Sequence, residues 1–190
     1  LISHVRRALH LATKFSVFAS ANEGRPYSYT FDGGFQFGDS VGFIDRHLLY
    51  IPDGANDPNV VFGADFDQAA FFDYIESEGL DKFGGDIMPR NSINSDWWTK
   101  VDIKVSQELP GFSADHKASA FIIIENFGNF INDDWGVMYE TSFPRAQEMV
   151  DASINENGQY VFEEFIQPQG QTRVADASLW EVRVGVRYDF

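Results

Sequence analysis

Glu125 and Glu140, set among many aromatic residues, are the pair whose types would suit glycoside hydrolysis, where one carboxyl protonates the leaving oxygen and the other attacks or activates water. That chemistry needs the two carboxyls about 5 to 10 Å apart across a sugar, a gap that sequence spacing does not fix. Charge on the inward face of strands accounts for both glutamates more simply. His4, His10, His47 and His116 lack the i, i+4 and H-x-E patterns of zinc sites, so they read as solvated or inward-facing residues. The absence of cysteine excludes disulfides, zinc–thiolate sites and thiol nucleophiles. No G-x-S-x-G, P-loop or dinucleotide fingerprint occurs, and Gly33-Gly34 and Gly84-Gly85 read as loop hinges rather than phosphate cradles. No catalytic residue, cofactor or metal is therefore expected.

The aromatics have a physical job that needs no ligand. Trp97, Trp98, Trp135, Trp180, Tyr139, Tyr188 and Phe190 suit strand ends held at lipid headgroup level, with a carbohydrate-stacking surface as the competing use. The element that positions Trp180, Tyr188 and Phe190 is the terminal SLWEVRVGVRYDF, Ser178 to Phe190. Trp180, Val182, Val184, Val186, Tyr188 and Phe190 alternate with Glu181, Arg183, Gly185, Arg187 and Asp189, giving one apolar and one charged face of a strand. A half-buried strand of a soluble sandwich would alternate in the same way. The order Trp, three valines, then Tyr and Phe instead matches a strand crossing a bilayer between two aromatic girdles.

Similar alternation marks Leu9 to Ala21, Trp97 to Leu109 and, less cleanly, His116 to Asn126, where Phe121 and Ile123 blur the polar face. Tyr27 to Phe31, Trp135 to Phe143, Met149 to Ile154 and Gln159 to Phe165 are further strand candidates. The total is about seven or eight strands of roughly ten residues. Between Asp32 and Asp96 the pattern collapses into Gly, Asp, Asn and Pro, with thirteen Asp or Glu against three Lys or Arg. A loop this long argues against a compact sandwich and suits an extracellular loop; within it, Asp65 to Glu78 has the spacing of a short helix.

The formal charge of −15 and pI near 4.4 exclude a nucleic-acid partner, which requires a basic face. Apolar runs are short, so a membrane route by helix is closed and only a strand route remains. The chain opens LISHVRRALHLATKF with no leader, which predicts either a removed signal or the C-terminal part of a longer protein.

Seven blocks then point to a family. They are GRPYSYTF at Gly24 to Phe31, LLYIP at Leu48 to Pro52, FFDYIE at Phe71 to Glu76, MPRNS at Met88 to Ser92, KVDIKVSQELPGF at Lys100 to Phe112, IENFGNFINDDWG at Ile124 to Gly136, and the terminal SLWEVRVGVRYDF. In this order they resemble the C-terminal part of Oar-like TonB-dependent outer-membrane receptors, the group bearing a carboxypeptidase-regulatory domain. The resemblance implies an all-β fold: residues 1–190 as antiparallel strands of a transmembrane β-barrel of about 22 strands, with residues 32–96 as its long acidic extracellular loop. It implies a place in the cell outer membrane of a Gram-negative organism and uptake of a large or scarce substrate. Its partners would be outer-membrane lipid, the missing N-terminal barrel strands and plug, the TonB complex through that plug, and the outer-membrane assembly machinery. Tyr188 and Phe190 resemble the terminal assembly signal, while Trp97, Trp135, Trp180 and Tyr188 would be interface aromatics. The family's Asp-rich stretch suggests calcium, but DGGFQFGDSVGFIDRH, Asp32 to His47, lacks an alternating acidic ladder, so no metal is expected. The chain alone, with two unpaired strand edges, is not expected to transport. The alternatives are a structural or adhesive outer-membrane protein and a secreted sugar-binding sandwich.

Overall fold

A computed structural model describes residues 11–32, 47–113 and 115–190. Its strands are β1 (Thr13–Asn22), β2 (Pro26–Asp32), β3 (Tyr50–Ile51), β4 (Val60–Phe62), β5 (Asp86–Ile87), β6 (Ile93–Asn94), β7 (Trp98–Pro110), β8 (Lys117–Glu125), β9 (Tyr139–Glu140), β10 (Ala146–Ile154), β11 (Tyr160–Phe165), β12 (Thr172–Arg173) and β13 (Glu181–Asp189). The helices are α1 (Gln68–Ser77), α2 (Phe127–Ile131) and α3 (Ala175–Ser178). The chain divides into two compact units, one of Leu1–Glu23, Trp97–Met138 and Arg173–Phe190, the other of Gly24–Asp96 and Tyr139–Thr172.

The first unit is a four-stranded antiparallel sheet in the order β1-β7-β8-β13. Its strands form where the period-two pattern is cleanest and valine and isoleucine are densest, since β-branched side chains favour a pleated surface. Pro110 pairs with Lys117 at the end of the β7–β8 ladder. Gly111 begins the connection because a Cβ there would run into the carbonyl of His116. Beyond β8, Asn126 adopts the left-handed region at φ 51° and starts α2. Its buried amide donates to the carbonyls of Gly136 at 2.9 Å and Ser178 at 3.0 Å, and its N–H donates to Asp102 at 2.8 Å. One residue thus ties the end of β8 to β7 and to the turn before β13.

The second unit holds a five-stranded sheet in the order β4-β11-β10-β2-β6, in which β10 runs parallel to β2 and β11 parallel to β4. Strand β2 is buried along Tyr27–Phe31 on both faces, and Met149, Val150, Ala152 and Phe162 complete the interior from β10 and β11. Helix α1 is capped by Asp67, whose carboxylate accepts from Ala70 N–H at 3.0 Å, and it buries Phe71 and Ile75 one turn apart. The ring of Phe162 lies 5.6 to 5.8 Å from those of Phe31, Phe62, Phe66 and Phe71. Such ring spacings add to the burial of each residue.

These sheets correct the expected fold. Among the described residues none closes into a barrel, and about 22 strands of roughly ten residues each would need more than the chain's 190 residues. The parallel ladders of β2 and β4 are likewise foreign to an all-antiparallel wall. The described part of residues 32–96 is no irregular loop. It supplies Leu49, Ile51, Phe66, Phe71, Leu80 and Met88 to the core, because its apolar residues outweigh the turn formers between them. The strand expected at Trp135 to Phe143 shrinks to β9. Leu9, His4, His10, Gly33-Gly34 and most of Asp32 to His47 lie outside the described residues.

Candidate lipid-contacting face

The register of the four-stranded sheet decides which side chains share a face. Phe15, Val17 and Ala19 of β1 lie opposite Val105, Ile103 and Val101 of β7. Ile103, Val105 and Leu109 then meet Ile124, Ile122 and Ala118 of β8. Ile124, Ile122 and Ala120 meet Val182, Val184 and Val186 of β13. Residues directly opposite in a ladder project from the same side, so four separate alternations fuse into one aliphatic surface. That surface is uncovered: Phe15 is 74% exposed and Val184 75%.

The other face carries ions. Glu125 is bracketed by Lys100 at 3.7 Å and Arg183 at 3.0 Å, and Arg183 also reaches Glu181 at 2.7 Å. Lys14 pairs with Glu108 at 3.2 Å, and Arg187 with Asp189 at 3.0 Å. Phe121, which breaks the polar pattern, lies across the backbone of its cross-strand partner Gly185, where a Cβ would collide with the ring. Lys104 sits over the same ring, 5.2 Å from its centroid. The lone glycine of the terminal strand and the phenylalanine opposite it in the ladder therefore explain each other. Sequence reading missed this layer, although Gly185 interrupting an otherwise regular charged row was a visible signal.

The aromatics gather at the two ends. Trp97 and Trp180 stand just before β7 and β13, at the end where β8 finishes, and Phe130 of α2 packs edge-on against Trp180 at 5.1 Å. The carbonyl of Trp135 accepts from the Asn129 amide at 3.0 Å, which holds it beside α2. At the opposite end, the Tyr188 hydroxyl bonds His116 Nδ1 at 2.6 Å and accepts from Phe112 N–H at 3.2 Å, while Phe190 projects 98% exposed. Of the seven aromatics singled out from sequence, Trp97, Trp135 and Trp180 thus stand at one end and Tyr188 and Phe190 at the other, while Trp98 opens β7 and Tyr139 belongs to β9 of the second unit.

Glu125 and Glu140 belong to different units, and Glu140 has its own cation in Arg25 at 3.1 Å. His47 accepts from Phe31 N–H through its carbonyl at 2.9 Å, and Gly85 donates to the Ile51 carbonyl at 2.8 Å. Among the described residues, no three or more His, Asp or Glu side chains gather as metal ligands, and no helix is long and apolar enough to cross a membrane, which says nothing of strands. No family model, curated protein or solved structure matches the chain. What the face can do therefore rests on its own geometry. Fully covering one Val, Ile or Phe side chain is worth about 1.5–3 kcal/mol, whereas an exposed ion pair contributes about 0–1 kcal/mol. The aliphatic surface, not the charged one, sets what this sheet seeks.

Proposed function

We propose that the chain works in the outer membrane as part of a TonB-dependent uptake receptor, with the aliphatic face of β1, β7, β8 and β13 against lipid hydrocarbon. The registry of those four strands carries the reading. Their lengths of 10, 13, 9 and 9 residues suit a hydrocarbon layer that a tilted strand crosses in about 9–11 residues. Aromatics at both strand ends and aliphatics between them repeat the profile of membrane strands. The seven sequence blocks add the receptor family to this picture, and with it partners in the assembly machinery and the TonB complex.

The reading carries a requirement. β1 and β13 are the two edges of the described sheet, and unmet backbone groups in hydrocarbon cost several kcal/mol each. Both edges must therefore be paired or covered wherever the sheet meets lipid. Gradient separation of envelopes from producing cells tests the proposal. The chain is expected in the outer-membrane fraction, resistant to alkaline extraction and released by detergent. Recovery in the soluble periplasmic or culture fraction would sink it.

A further inference from the structure

In the second unit, the chain around Thr141–Glu148 and Ile166–Thr172 encloses a pocket of about 270 Å³. Its lining mixes amides and hydroxyls with apolar side chains, Pro144, Ala146 and Ile166 among them. The amides of Gln147, Gln167 and Gln169 and the hydroxyls of Thr141 and Ser142 face it, Phe143 stands on its rim, and Glu148 is its single ionisable group. Gln147, only 6% exposed, donates from Nε2 to the Thr141 hydroxyl at 3.1 Å and accepts from Gly170 N–H at 3.1 Å. One buried amide therefore fixes both walls in place before any ligand arrives. The Thr141 hydroxyl, having accepted that bond, still has its own proton to give. Phe143 is 89% exposed. A single exposed apolar side chain is ordinary on a surface; beside the fixed amide of Gln147 it forms a platform.

We infer that this pocket binds one neutral sugar unit of an oligosaccharide, with Phe143 stacked on the C–H face of the ring. Sugar hydroxyls both donate and accept, as do primary amides, so a lining of glutamines and hydroxyls matches them in kind. The apolar face of a pyranose suits an aromatic ring, and the volume lies just under the range for drug-sized ligands, which limits the fit to a single unit. Anionic ligands are disfavoured, because Glu148 is the only charge in the lining and the chain as a whole carries −15.

The test is calorimetric titration of the full-length, detergent-solubilised chain with maltohexaose, cellohexaose and mannohexaose, and with the acidic hexamer of galacturonic acid. At least one neutral hexaose binds with one-to-one stoichiometry and the acidic one does not. Phe143→Ala weakens that binding about tenfold, and Gln169→Ala weakens it several-fold. Both side chains are exposed, so neither variant shifts the thermal midpoint. Failure of all three neutral hexaoses to bind, preference for the acidic one, or undiminished binding by both variants overturns the inference. The inference stands apart from the lipid reading, whose fractionation test reports on the other unit.

Discussion

Asp57 shows how one side chain holds a segment that the sequence presents as loop. Its carboxylate accepts from the Tyr50 hydroxyl, Asp53 N–H and Asn59 N–H, each at 2.8 Å, while only 6% of the residue is exposed. Burial alone would push the carboxyl up, but these donors outweigh it and hold it below its ordinary value near 3.8. A carboxyl depressed in the folded state stabilises fully above its unfolded value, and that contribution is lost as pH falls through the folded value. Asp57→Asn is therefore expected to cost about 1–3 kcal/mol at neutral pH by urea denaturation. The gap between wild type and variant should narrow below about pH 4. A gap that is constant with pH would contradict the role given to the charge. The phenol of Tyr74 on α1 has the opposite tendency. Burial pushes Tyr74 up to about 12, so it stays protonated and bonds the Tyr29 hydroxyl at 2.9 Å as a neutral group.

At the scale of elements, the four long strands were legible because each carries its own alternation. Thr13–Asn22, Trp98–Pro110, Lys117–Glu125 and Glu181–Asp189 fall within a few residues of the spans read from period two. Helix α1 was legible from its apolar spacing. The second sheet was legible only in part: Tyr27 to Phe31, Met149 to Ile154 and Gln159 to Phe165 read as strands and fall on β2, β10 and β11, whereas the short β4 and β6 lie in the stretch read as loop. The Leu49–Ile51 run is a continuous apolar stretch of the kind a buried strand gives, and the surrounding Asp and Gly disguised it. Parallel pairing of β2 with β10 joins segments far apart in sequence, which no local pattern announces. The contribution of α1 to that core can be measured directly. Phe71 is fully buried, with rings of Phe66, Phe72, Phe162 and Phe165 5.2 to 5.8 Å away. Phe71→Ala is expected to lower unfolding free energy by about 3–5 kcal/mol. A loss below about 1 kcal/mol, the scale of a surface change, would mean that α1 is not part of the core.

Across the whole molecule, the chain passes repeatedly between two units of different character, one an open amphipathic sheet and the other a closed aromatic core. The sites of interest follow that division: the face read as lipid-contacting belongs to the first unit, and the amide-lined pocket to the second. A single strand is enough to test the central claim that the aliphatic face meets hydrocarbon. The chain has no cysteine, so Val182→Cys, Arg183→Cys, Val184→Cys, Val186→Cys and Arg187→Cys each give one labelling site for an environment-sensitive fluorophore. In vesicles containing brominated lipid, the label should be quenched at positions 182, 184 and 186 and spared at 183 and 187. Equal quenching at all five positions, or at none, would contradict the account.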